Sequence, residues 1–144
     1  MRALSQIRWL VALLGLVGCG SAARAQDVML VANLDLHISQ ISVADVRAIF
    51  TGAKTRFADG SRAVPVTLKG GPAHEVFLKN YLNENSDEFR AQWRKEVFTG
   101  QGAMPKALDS EAALIDYVAI TPGALGYVSR ISRNDRVKTL TVIK

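Results

Sequence analysis

The residues best suited to chemistry are consecutive: Lys69, Gly70, Gly71, Pro72, Ala73 and His74. Two glycines let the backbone turn sharply and approach a ligand, proline suits the first helical position, and the unpaired N–H groups of a helix start favour an anion. Lys69 adds a positive charge there, and His74, one turn in, is placed to help hold the same anion. The stretch serves equally well as a strand-to-helix connector with no ligand, because short glycine turns are common connectors. Both readings stay open on the residues alone.

Other chemistries have little footing. His37 and His74 are the only histidines. Neither has a partner at metal-ligand spacing, since Glu75 is adjacent to His74 and would point away from it on a helix. No Gly-x-Ser-x-Gly elbow occurs, and the only cysteine, Cys19, precedes the folded domain. Asp87 with Glu88, and Asp109 with Glu111, read as helix-start charges favoured by the helix dipole. The expectation is therefore no catalytic residue, no metal, no cofactor and no enzyme.

Composition agrees with a folded, exported chain. At 144 residues, 49% hydrophobic and 22% charged, it holds one domain with a real core. Arg2 and Arg8 precede an apolar run from Trp9 to Val17, and small residues then end at Ala23, Arg24, Ala25: a secretory signal peptide over residues 1–25, cut before Gln26. The run is too short to span a bilayer stably. The expected product is a periplasmic domain over residues 26–144. Leu16, Val17, Gly18 and Cys19 also resemble a bacterial lipobox, which would instead leave a lipoprotein anchored through Cys19. Either way, one mature chain can form no internal disulfide. The formal charge of +5 falls once Arg2, Arg8 and Arg24 are removed, and the remaining charges are interspersed without a basic run, which argues against nucleic acid as a partner.

The elements that must position the turn follow from pattern. Val28 to Ala32 is an unbroken apolar strand, suited to a parallel sheet covered on both faces. Asn33 to Gln40 reads as a polar loop. Ser42 caps a helix with Val43, Val46, Ile49 and Phe50 on one face, and Gly52 closes it. A strand over Ala63 to Leu68 leads into the turn, and the helix from Pro72 carries Val76, Phe77, Tyr81 and Leu82 inward. Ser86 or Asp87 caps the next helix, with Phe89, Trp93 and Val97 as a core stripe. Gln101 to Leu108 is a loop. Ser110 caps the last helix, which buries Ala113, Leu114, Tyr117 and Val118. Ala124 to Val128 is an apolar strand in which Gly126 suggests close approach of another backbone, and Val137 to Ile143 alternates as an edge strand. Interleaved strands and helices make the class α/β.

Ile41 and Ser42, Val46 to Gly52, Asp59 and Gly60, Val64 to Val66, Phe77, Phe98 to Gly102, Pro105, and Pro122 to Val128, in that order and spacing, resemble the substrate-binding proteins of phosphate ABC transporters, in particular short, single-lobe members. The resemblance covers nearly the whole chain after the signal peptide. It implies a single lobe of a type II periplasmic binding protein-like fold, with a mostly parallel sheet flanked by helices. In that family two such lobes clamp an anion between helix N-termini and glycine-rich turns. It also implies phosphate or another oxyanion as ligand. ABC transporter membrane components or another periplasmic protein are the implied partners, and pairing of two copies to rebuild a cleft is left open. The site residues carried over are Lys69, Gly70, Gly71, Ala73 and His74. The family's arginine is replaced at best by Lys69, and its serine and threonine hydroxyls by Gly71 and Ala73. Each lost charge-assisted hydrogen bond removes about 1.5 to 3 kcal/mol, so phosphate transport would rest on weakened contacts. The alternative is a ligand-free periplasmic interaction or adaptor domain.

Overall fold

The computed structural model describes residues 27–100, 102–132 and 134–144. The expected signal peptide, Cys19 and the expected cut before Gln26 lie outside them, as do Gln101 and Arg133. Strands β1 (Val28–Ala32), β2 (Gln40–Ser42), β3 (Val64–Leu68), β4 (Lys106–Leu108), β5 (Ala124–Ser129) and β6 (Lys138–Ile143) form one sheet in the order β2-β6-β1-β5-β3-β4. Three of the five neighbouring pairs, β2 with β6, β5 with β3 and β3 with β4, are parallel. β1 is antiparallel to both of its neighbours, β5 and β6. Its unbroken apolar run therefore reports coverage of both faces, which any central strand has, and says nothing of strand direction.

β4 falls in a stretch expected to be a loop, and β2 begins on the last residue of another and ends on the expected helix cap, Ser42. Three residues are too few to show a period, and both are held by pairing with a longer strand. Their presence moves β6 from the expected edge to the interior of the sheet, between β2 and β1. Only Leu140 of β6 is buried, so its alternation reflects coverage of one face.

Helix α1 (Val43–Phe50) starts where the Ser42 hydroxyl accepts the Asp45 N–H at 3.0 Å, and it buries Val46, Ile49 and Phe50. Helix α2 (Pro72–Phe77) runs on into a single π turn, Leu78–Leu82, stopped by Asn83 at φ 55°. It buries Phe77, Leu78 and Leu82, with Val76 and Tyr81 half-buried beside them. Helix α3 (Ser86–Phe98) is capped by Asn85, not by Ser86 or Asp87: the Asn85 Oδ1 accepts the Glu88 N–H at 2.9 Å, while the Ser86 hydroxyl donates to Glu75. Phe89 and Trp93 are in the core but Val97 is 48% exposed, because α3 has left the core by its last turn. Helix α4 (Glu111–Ile120) is capped by Ser110 and buries Leu114, Ile115 and Val118.

The core closes around Phe50, Phe77 and Tyr127. The Phe77 and Tyr127 rings stack 3.9 Å apart at 7°. A Cβ at Gly126 would lie 2.8 Å from Leu114 Cδ2, so the close neighbour there is an α4 side chain rather than another backbone.

Candidate functional site

The glycine turn joins the end of β3 to the start of α2. The Lys69 N–H donates to Leu108 O at 2.9 Å, extending the β3–β4 pairing by one residue and bringing Asp109 to the same end of the sheet. There Lys69 Nζ lies 2.8 Å from Asp109 Oδ1, both side chains exposed. Gly71 sits at φ 98°, a conformation that side chains strain against, and gives α2 no side-chain cap. The other three helices are each capped by a side chain, from Ser42, Asn85 or Ser110. The first N–H groups of α2 thus open into a recess of about 280 Å³ lined by Gly70, Gly71 and Ala73 on one side and Asp109, Glu111 and Ser129 on the other.

The acidic wall is built in. Glu111 Oε1 accepts the Ser129 N–H at 2.5 Å, and Oε2 accepts the Ser129 hydroxyl at 2.9 Å and the Ser132 hydroxyl at 2.5 Å. Partial burial works against the charge, but the Ser132 and Ser129 hydrogen bonds outweigh it and hold this carboxyl below the usual glutamate range.

His74 does not face the recess. It is 4% exposed, and Nδ1 lies 2.5 Å from the Tyr127 hydroxyl, which also accepts the Leu68 N–H at 3.0 Å. Burial lowers the His74 pKa, and the nearby Arg90 charge lowers it further against an opposing effect of Glu75, so the ring is neutral. Burial likewise pushes the Tyr127 phenol well above its ordinary range. Of the five residues expected to hold an anion, Lys69, Gly70, Gly71 and Ala73 come together around the turn. His74 points inward from the same helix.

Asp109, Glu111 and Ser129 were not foreseen beside the turn, since they reach it from β4, α4 and β5 through long-range pairing. Tyr127 carried a usable signal: a phenol inside an otherwise apolar strand needs a buried partner. Another cleft, of about 490 Å³, lies at the other end of β3 and is lined in part by Pro65, Trp93, Met104 and Tyr117. Among the described residues no group of His, Cys, Asp and Glu could hold a metal ion, and no helix is long and apolar enough to cross a membrane.

This arrangement is a single α/β lobe of the periplasmic binding protein type, and solved structures of that fold superpose on it. A structure from Clostridium perfringens, named as a phosphate ABC transporter substrate-binding protein with bound phosphate, superposes at TM-score 0.64 and 16% identity, covering 80% of this chain and 44% of that one. An ABC-type phosphate transport receptor from Vibrio cholerae gives 0.62 at 13% identity, over 80% and 45%. PstS from Borrelia burgdorferi gives 0.61 at 13%, over 80% and 46%. The chain thus spans less than half the length of these structures, and at such identities the likeness is one of fold. No protein-family profile and no curated protein sequence matches the chain.

Proposed function

We propose that this is an exported, solute-binding-like protein, related to phosphate uptake and not an enzyme, whose glycine turn gives phosphate or another oxyanion only a weak seat. The fold likeness supports the class. The turn lies at the C-terminal ends of β3, β4 and β5, the side on which open α/β sheets gather their ligands. The uncapped N–H groups of α2 and the ammonium of Lys69 are the donors.

The single observation that carries the word weak is the Lys69–Asp109 pair. The lysine of the turn is already matched by a carboxylate, and the Glu111 carboxylate stands in the same recess. An arriving dianion must compete with Asp109 and tolerate Glu111, with no serine or threonine hydroxyl at Gly71 or Ala73 to add affinity. Partners of the transport reading are the membrane components of an ABC transporter, another periplasmic protein, or a second copy that rebuilds a cleft.

Calorimetric titration of the mature protein with phosphate and with sulfate, at low ionic strength, tests this. Weak binding that fades with added salt is the expected result. No binding of either anion at millimolar concentration would replace this reading with that of a ligand-free interaction domain. Export is tested separately by intact mass: a chain beginning at Gln26 is expected, and an acylated chain beginning at Cys19 would make it an anchored lipoprotein.

A further inference from the structure

The cleft of about 490 Å³ lies between the segment after α1, the start of β3, α3 and the chain leading into β4. Its larger apolar groups are Ile49, Pro65, Trp93, Met104, Pro105 and the ring of Tyr117. Trp93 is fixed at the floor by its burial and by the bond from its Nε1–H to Phe50 O. Two glycines of the lining bring bare backbone down to the far edge of its indole. A Cβ at Gly52 would lie 2.9 Å from Trp93 Cη2, and one at Gly102 would lie 3.5 Å from Cζ3. Gly52 is needed for its φ of 81° as well, but Gly102 is not in the left-handed region, so its missing side chain serves to keep space open over the ring.

Four charged residues line the cleft: Lys54, Arg62, Lys106 and Glu96. Lys54 is matched by Asp45 at 2.6 Å. Among the described residues, Arg62, Lys106 and Glu96 form no ion pair. Two cations thus stand against one carboxylate, and the cleft keeps an excess of one positive charge. Thr55 and Tyr117 add two hydroxyls. Backbone donors are scarce: Pro65 and Pro105 have no N–H, and those of Ala63 and Val64 are spent on Thr55 O and Gly123 O.

These features define a ligand class. An excess of one positive charge is balanced by a monoanion, and a guanidinium fork with an ammonium suits a planar carboxylate. Dianionic phosphate would be stripped of water against Trp93 and Met104 with few backbone N–H groups in return. The volume falls among small-molecule sites, which span about 300 to 1,000 Å³, and a two-carbon acid would leave most of it empty. The flat apolar groups, an indole edge, a phenol ring and two prolines, suit a ring. We propose that this cleft binds a small aromatic monocarboxylate, its ring against Trp93, Met104 and Pro105 and its carboxylate on Arg62 and Lys106. None of the residues lining the cleft lines the recess of the glycine turn, so the site stands apart from the phosphate reading.

Trp93 reports on the cleft directly, because the other tryptophan, Trp9, lies in the expected signal peptide. The test is a titration of the nitrogen-15-labelled mature protein at low ionic strength, following the Trp93 indole N–H and the Gly70 and Gly71 amides in the same samples. The probes are sodium 3-phenylpropionate, the neutral 3-phenylpropan-1-ol, sodium acetate and sodium phosphate. Phenylpropionate should shift the indole signal saturably. The alcohol, which lacks the charge, and acetate, which lacks the ring, should each bind about tenfold more weakly or worse. Phosphate should leave the indole in place whether or not it moves the glycine amides. Arg62→Gln, at an exposed side chain, should weaken phenylpropionate by about tenfold, the loss of one charge-assisted contact. Gly102→Leu should fill the space over the indole and abolish the shift while the remaining amide spectrum stays native. An unmoved indole signal at tens of millimolar phenylpropionate, an alcohol that binds as tightly as the acid, an Arg62→Gln or natively folded Gly102→Leu protein that titrates like the wild type, or displacement of phenylpropionate by phosphate would each overturn the proposal.

Discussion

Lys69 Nζ and Asp109 Oδ1 lie 2.8 Å apart across the ends of two parallel strands, so the cation of the glycine turn is held by a residue that follows β4. The pair is exposed and contributes at most about 1 kcal/mol to stability. Its effect should be seen in binding instead. Asp109→Asn frees the ammonium and removes a negative charge from the recess, and should tighten phosphate binding by about fivefold, the equivalent of about 1 kcal/mol. Lys69→Ala should abolish the affinity while leaving the thermal midpoint nearly unchanged. Calorimetry on the two variants checks both, and equal affinities in both would show that the turn is not the seat.

Trp93 ties α3 to α1. Its ring is 3% exposed and its Nε1–H donates to Phe50 O at 3.0 Å. Trp93→Ala should cost about 3 to 5 kcal/mol, by cavity formation and by orphaning a buried carbonyl. Val97→Ser, one turn further along and half-exposed, should change stability by less than about 0.5 kcal/mol. Urea denaturation of both measures the contrast, and similar losses would mean that α3 is buried along its whole length.

Gly126 is fixed by Leu114. A methyl group at 126 would sit 2.8 Å from Leu114 Cδ2, between two elements that are fully buried there. Gly126→Ala should destabilise by about 1 to 3 kcal/mol through overpacking. Adding Leu114→Val should recover part of that loss, so the double variant should be more stable than the sum of the single changes predicts. Strict additivity in denaturation midpoints would show that the two positions do not touch.

Long, strongly patterned elements were legible in the sequence, and short or long-range ones were not. Ser42 and Ser110 announced their helices because a capping side chain acts within three residues of itself. β2 and β4 could not be read, since a three-residue strand exists through its partner and leaves no pattern of its own. Missing β2 then turned β6 into a false edge. At the turn, Lys69 to Ala73 was visible as one contiguous string. The acids that oppose it follow β4 or begin α4, and only the β3–β4–β5 pairing puts them there. His74 was legible as a polar residue near the turn, but its inward direction depends on Tyr127, 53 residues away.

The His74–Tyr127 contact should also govern stability at mildly acidic pH. In the unfolded chain His74 titrates near its ordinary value of about 6.5. In the folded protein burial, assisted by Arg90 and opposed by Glu75, lowers it. As pH falls through about 6.5 the unfolded state takes up a proton that the folded state refuses, so the unfolded state binds more protons and stability declines. The contribution is complete above that pH and is lost progressively below it. Glu111, also lowered, acts in the same direction but begins only near the ordinary carboxyl range. Urea midpoints measured between pH 8 and 5 should therefore begin to drop near pH 6.5, ahead of the carboxyl transition. His74→Gln should lower stability at pH 8 by removing the bond to Tyr127, yet flatten the slope between pH 7 and 5. The same slope in variant and wild type would show that another group carries the acid sensitivity.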